Sequence, residues 1–206
     1  MLATNPTFSG RGSGVACGSC HRDGRDDGLT WRFPDMDRQT PSLAGPVSET
    51  APLTWIGGVE TIAEEATLTS TLRMGGSGPT PAELAAVTAF VDAARRPVAR
   101  RPTASEQAAR ALGAEVFHRP EVGCAECHSD ANGAGEGVVP LLGIPALSVP
   151  PLVGVAATAP SLHDGSAATL EAVVERCREG VMGDTSSLSD AEADALVAYL
   201  RWFGEP

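Results

Sequence analysis

The chain has 206 residues, 42% of them apolar and only 4% aromatic, and a formal net charge of −11. That length suits one large domain or two small ones, and the acidity excludes nucleic acid as a natural partner while favouring a basic protein partner. No apolar run approaches the roughly 18 residues of a membrane span, and "MLATNPTFSGRG" has neither the basic start nor the apolar stretch of a signal peptide.

In chain order, the first feature is "CGSCH", Cys17 to His21. Thr61-Ile-Ala-Glu64 then opens a helix, followed by the Gly-rich loop "RMGGSGPTPAE" with Met74. Thr80-Pro-Ala-Glu83 is a capping box with proline at the first helical position, and Leu84, Val87 and Val91 fall on one face behind it. "AARRPVARRPT", Ala93 to Thr103, reads as a stiff, solvated linker. Its arginines are either plainly solvated or turned toward charged groups between the units.

Thr103-Ala-Ser-Glu106 caps a helix through about Phe117, just before a second box, "CAECH", Cys124 to His128. "GEGVVPLLGIPALSVPPLVG" is rich in Gly and Pro and reads as loop. A helix begins at Thr169 and carries Cys177. The loop "VMGDTSSLSDAE" holds Met182. Ser189-Asp-Ala-Glu192 caps the last helix, with Ala193, Leu196, Val197 and Leu200 on one face.

These features repeat. His21 and His128 are 107 residues apart, and "TAPLTWIGGVETI" (Thr50 to Ile62) parallels "TAPSLHDGSAATL" (Thr158 to Leu170) at 108. Met74 and Met182 also differ by 108, and the two capping-box helices by 109. Two homologous all-α units follow: residues 1–95, a linker at 96–104, and residues 105–206. The Thr103 helix has no partner in the first unit, because its counterpart would end near residue 10. The first unit is therefore expected to lack its N-terminal helix in this chain.

C-x-x-C-H fits three chemistries. Zinc needs four ligands per site, and no consistent fourth group accompanies the two Cys-Cys-His sets. A redox dithiol of the thioredoxin kind needs a βαβ context, which is missing. Haem attachment uses all three residues: both sulfurs add to vinyl groups and the histidine lies under the iron. Two copies at a repeat offset predict two covalently attached haem c groups, on Cys17 and Cys20 with His21, and on Cys124 and Cys127 with His128. The porphyrins would supply the bulk that the scarce aromatics do not.

Methionine is a common second axial ligand. Met74 and Met182 occupy equivalent Gly-rich loops, so the expected iron ligands are His21, Met74, His128 and Met182. Cys177 pairs with Thr69 in the repeat rather than with a ligand, and reads as a small buried residue on its helix, with thiolate ligation as the minority reading.

The paired boxes together with "TAPSLHDGSAATLEAVVE", Thr158 to Glu175, resemble the bacterial di-haem cytochrome c peroxidase family, which includes the related methylamine-maturation enzymes. The likeness covers both units, although the chain is shorter than family enzymes. The first unit, with "SCHRDGRDDGLTW", "TPSLAG" and "TAPLTWIGG", is similar to versions appended to β-propeller domains. The resemblance implies two tandem class I-like cytochrome c domains, each wrapped around one haem. Family enzymes place a distal methionine or tyrosine fourteen residues after the HDG histidine, where this chain has Cys177. Of the unassigned histidines, His118 sits too near its own box to be a distal ligand, and His163 belongs to the HDG turn and is expected to hydrogen-bond near the second haem. The first unit has Trp55 at that place, so the acid–base equipment for splitting peroxide is thin. The expectation is an exported, periplasmic di-haem cytochrome that passes electrons between a redox partner protein, or a covalently linked upstream domain, and an acceptor. The alternative is a di-haem peroxidase acting on hydrogen peroxide.

Overall fold

The computed structural model describes residues 15–96 and 100–205. Seven α-helices dominate: α1 Cys17–Cys20, α2 Ile62–Leu68, α3 Pro81–Ala93, α4 Ala104–Phe117, α5 Cys124–Cys127, α6 Leu170–Arg176 and α7 Asp190–Arg201. α2 runs on into a π-helical turn, Thr69–Arg73, and α6 into a 3₁₀ turn, Cys177–Glu179. The longer helices begin where a hydroxyl can satisfy an orphan amide. Thr61 accepts from the Glu64 amide and Thr169 from that of Ala172. The boxes at Thr80/Glu83, Thr103/Glu106 and Ser189/Glu192 close in both directions.

Two short antiparallel hairpins complete the fold: β1 Thr30–Arg32 with β2 Asp37–Gln39, and β3 Val138–Leu141 with β4 Ile144–Ser148. The second corrects the expectation of loop across that Gly- and Pro-rich stretch. Leu142 and Gly143 both take positive φ, 56° and 75°, the geometry of a two-residue hairpin turn. Pro140 sits where the ladder shifts register between Val139 and Leu141, so its missing amide costs no ladder bond.

The apolar core falls into two clusters. Val116, Phe117, Val122, Leu170, Val174, Leu188, Leu196, Val197 and Phe203 form the larger one. Leu53, Val59, Ile62, Val87 and Val91 form the smaller. The larger is built on the crossing of α4 and α7, where Phe117, Tyr199 and Phe203 pack with ring centroids 5.1–5.8 Å apart. Ala195 and Ala198 of α7 are buried there, whereas their repeat counterparts on α3, Ala86 and Ala89, are exposed together with Phe90. The helix expected to be missing over that face would end near residue 10, outside the described residues.

The repeated segments meet each other reciprocally. Gln39 of β2 donates its amide to the His163 carbonyl at 2.6 Å, and Ser148 of β4 donates its amide to the Trp55 carbonyl at 2.9 Å. Thr30 donates to the Asp164 carbonyl, and Ser148 Oγ to that of Pro52. Gly57 and Gly165 seat these contacts: a Cβ on either would lie 2.3 Å from Val138 or Thr30, respectively. Each hairpin therefore lies on the other half's Thr-Ala-Pro segment. Thr54 and Leu162, at equivalent positions of those segments, share an unusual positive φ of 69° and 71°.

Residues 97–99 of the expected linker lie outside the described residues. On either side the linker is anchored rather than wholly solvated. Arg96 is half-buried and donates to the Ala44 carbonyl, and the Arg100 carbonyl accepts from the Trp202 indole. Arg95 and Arg101 are exposed, as solvation predicts.

Candidate functional site

Each C-x-x-C box forms a single helical turn, which puts both sulfurs on one side of it. The turn closes with the histidine amide on the first cysteine's carbonyl, His21 to Cys17 at 2.8 Å and His128 to Cys124 at 3.0 Å. All five cysteines are free thiols. Both imidazoles turn Nδ1 onto a carbonyl just downstream: His21 to Arg25 at 3.1 Å, His128 to Gly133 at 2.5 Å. In a neutral ring that bond fixes the proton on Nδ1 and leaves Nε2 as the lone-pair atom, the arrangement a metal-bound histidine uses. Burial pushes the pKa of both rings down, which keeps them neutral. Gly133 supplies its carbonyl from a left-handed turn, φ 77°, where a Cβ would collide with Leu152.

The first thiol of each box faces apolar surroundings. Burial raises Cys17 and pushes Cys124 up to about 12. Cys17 packs on the smaller core cluster and Cys124 on the larger. The Met182 loop is tied to the second box: a Cβ on Gly183 would lie 2.5 Å from the Val122 carbonyl, and the Asp184 amide donates to that same oxygen at 3.0 Å. Met74 follows the π-helical turn and is held by its own amide on Thr69 and by those of Gly75 and Gly76 on Thr71 and Ser70. Gly75 and Gly183 share the left-handed conformation, 67° and 77°. These residues fit covalently held haem in each half: paired free thiols on one turn, an imidazole with its tautomer set, and a thioether on a matching loop.

Cys177 is 6% exposed, and burial pushes its thiol up to about 11. A protonated thiol is a poor iron ligand, in keeping with its reading as a small core residue. Cys177→Ser is expected to leave the low-spin optical spectrum unchanged, and loss of a low-spin signal would make this sulfur a ligand. His118 is exposed and occupied at both nitrogens, by the Ala114 carbonyl and by Asp130, each at 2.7 Å. His163 is buried edge-on to Trp55, with centroids 6.4 Å apart, and its Nδ1 finds no hydrogen-bond partner among the described residues. That orphan atom suits a polar group the protein itself does not provide. Among the described residues no cluster of three or more His, Cys, Asp or Glu is placed to hold a metal ion.

Sequence reasoning missed Glu65. Its Oε1 takes bonds from Thr69 and Arg73, while its Oε2 is buried without a partner among the described residues. The repeat held the signal, since the residue 108 positions on is Val173.

Residues 108–200 match the family model described as cytochrome c oxidase, cbb3-type, subunit III. That segment is thus similar to a cytochrome c domain, and such a domain implies covalently bound haem c. Its structure is similar to a hydrazine synthase of Kuenenia stuttgartiensis, with a TM-score of 0.72 at 20% identity over 97% of this chain and 84% of that one. It is also similar to a MauG-like protein associated with microbial copper homeostasis, with a TM-score of 0.66 at 20% identity over 97% of this chain and 85% of that one. At such identities the likeness shows the fold. No curated protein matches the chain.

Proposed function

We propose that this chain is an exported di-haem c-type cytochrome that transfers electrons, built as two cytochrome c domains at residues 1–95 and 105–206. His21 with Met74 would hold one iron axially and His128 with Met182 the other. The observation that carries the reading is the duplicated box in which each histidine is locked through Nδ1 onto a backbone carbonyl. Bound haem supplies reversible one-electron chemistry. The chain's own task is to hold both axial ligands in place through oxidation and reduction, so that little rearranges when an electron arrives. The Gly183–Val122 contact and the paired hairpins provide that rigidity. No helix among the described residues is long and apolar enough to cross a membrane. Export follows from where haem c is attached. The acidic surface, net charge −11, favours a basic redox partner through electrostatic steering.

One observation favours the second reading, a di-haem peroxidase, which needs a general acid–base near one iron: the covered Oε2 of Glu65 lies in the first half. The deciding measurement is the optical spectrum of the oxidised and half-reduced protein, with and without hydrogen peroxide. Two low-spin haems with methionine–iron charge-transfer bands, indifferent to peroxide, are expected of the electron carrier. A high-spin haem that appears on half-reduction and reacts with peroxide would replace that reading with the peroxidase.

A further inference from the structure

The two candidate haem pockets are matched in backbone but not in chemistry. Glu65, Thr69 and Arg73 follow one another at four-residue steps and share a face of the α2 helix and its π-helical extension. They are joined: Thr69 Oγ1 donates to Glu65 Oε1 at 2.8 Å, and Arg73 Nη1 reaches both of those oxygens. At an offset of 108 the same three positions are Val173, Cys177 and Val181. Val173 and Cys177 are buried. Val181 lines an open hollow of about 450 Å³ with the β3–β4 turn, Pro140–Pro145.

Both trios lie beside the first cysteine of their box and lead directly into the methionine loop. Cys17 packs on the same core cluster as Ala66 and Leu68 of α2, and Cys124 on the one that holds Val174 of α6. Arg73 and Val181 immediately precede Met74 and Met182. The polar trio is also oriented. The Arg73 side chain is 51% exposed and so screened by water, whereas that of Glu65 is 28% exposed with Oε2 fully covered and unpartnered among the described residues. Its negative end therefore points inward and its positive end outward. A negative end inside stabilises the more positively charged, oxidised state of a nearby iron. An apolar wall disfavours that same state, because it withdraws solvation from the extra charge.

We propose that Glu65 is the residue that sets the two haems apart, holding the first at a lower reduction potential than the second, so that in the half-reduced protein the electron resides in the Cys124 pocket. The proposal rests on the di-haem reading above. Glu65 is a positioning residue for charge and takes no part in ligation.

The test is a spectroelectrochemical titration of the exported holoprotein, preceded by a haem count. One haem per chain would overturn the di-haem reading, and the inference with it. With two haems, wild type is expected to show two separate one-electron waves. Met182→His, which alters the ligand at the second site, assigns them by moving the upper wave alone. Glu65→Gln should raise the lower wave by a tenfold change in the oxidation equilibrium, about 59 mV for one electron, and leave the upper wave and both low-spin spectra in place. Glu65→Asp should restore the wild-type separation. Val173→Gln, a milder change than a new charge, should lower the upper wave. If the haem count is two and Glu65→Gln moves neither wave, or moves only the upper one, the proposal falls while the di-haem reading stands.

Discussion

In Met182→Ala the haem on Cys124 and Cys127 is expected to turn high spin and to lose its methionine–iron charge-transfer band, while the other haem keeps its low-spin spectrum. The reason is local. Gly183 lies against the Val122 carbonyl, and the Asp184 amide donates to it. The loop around Met182 is thus fixed to the box whose histidine would hold the iron. Truncation to alanine removes the only thioether on that loop without freeing the loop to offer another ligand. Cys177, the nearest sulfur in sequence, is held protonated by burial, its thiol at about 11, and is a poor substitute. Methionine ligation raises the potential, so the same variant should also become harder to reduce. Met74→Ala should do the same to the first haem alone. Resonance Raman or magnetic circular dichroism reads both outcomes, and an unchanged low-spin count in either variant removes that ligand assignment.

What was legible in the sequence was what is decided within a few residues. Thr61, Thr80, Thr103, Thr169 and Ser189 begin their helices because each can bond an amide two or three positions on. That chemistry is the same in any tertiary setting. The boxes were equally plain, since two thiols and an imidazole in five residues leave few uses. The repeat offsets then singled out Met74 and Met182 as candidate ligands.

What failed to show was decided across the chain. The β3–β4 hairpin was hidden because Pro140 and Gly143, which ordinarily break strands, sit at its bulge and its turn. The crossing of the hairpins rests on backbone groups of Gln39 and Ser148, which no side-chain pattern encodes. Arg96 looked solvated within an arginine-rich run, and only the fold places it on the Ala44 carbonyl. Glu65 reads as an ordinary helical glutamate until it is set beside Val173. A repeat is informative where its copies differ: agreement marks what holds the fold, and a charge facing a valine marks where the halves part.

Gly113→Ala is expected to lower the melting temperature of the holoprotein by roughly 6–12 °C, taking an overpacking cost near 3 kcal/mol at about 2–4 °C per kcal/mol. Alanine is the better helix former by about 1 kcal/mol, so local propensity predicts the opposite sign and the two effects can be told apart. The contact decides which wins. A Cβ on Gly113 would lie 1.9 Å from the Ala195 carbonyl oxygen, 2.6 Å from its carbon and 2.7 Å from Tyr199 Cβ. Backbone atoms cannot rotate away, so α4 and α7 must separate. That separation also opens the packing of Phe117 against Tyr199 and Phe203. Gly18→Ala is the matched comparison. It lies in a helical turn, a Cβ there meets nothing within 4 Å, and the second box already carries Ala125 at the same place. Its melting temperature should stay at the wild-type value or rise. If Gly113→Ala also melts no lower than wild type, the helices do not cross as closely as described, and the α4–α7 crossing loses its place as the base of the larger core cluster.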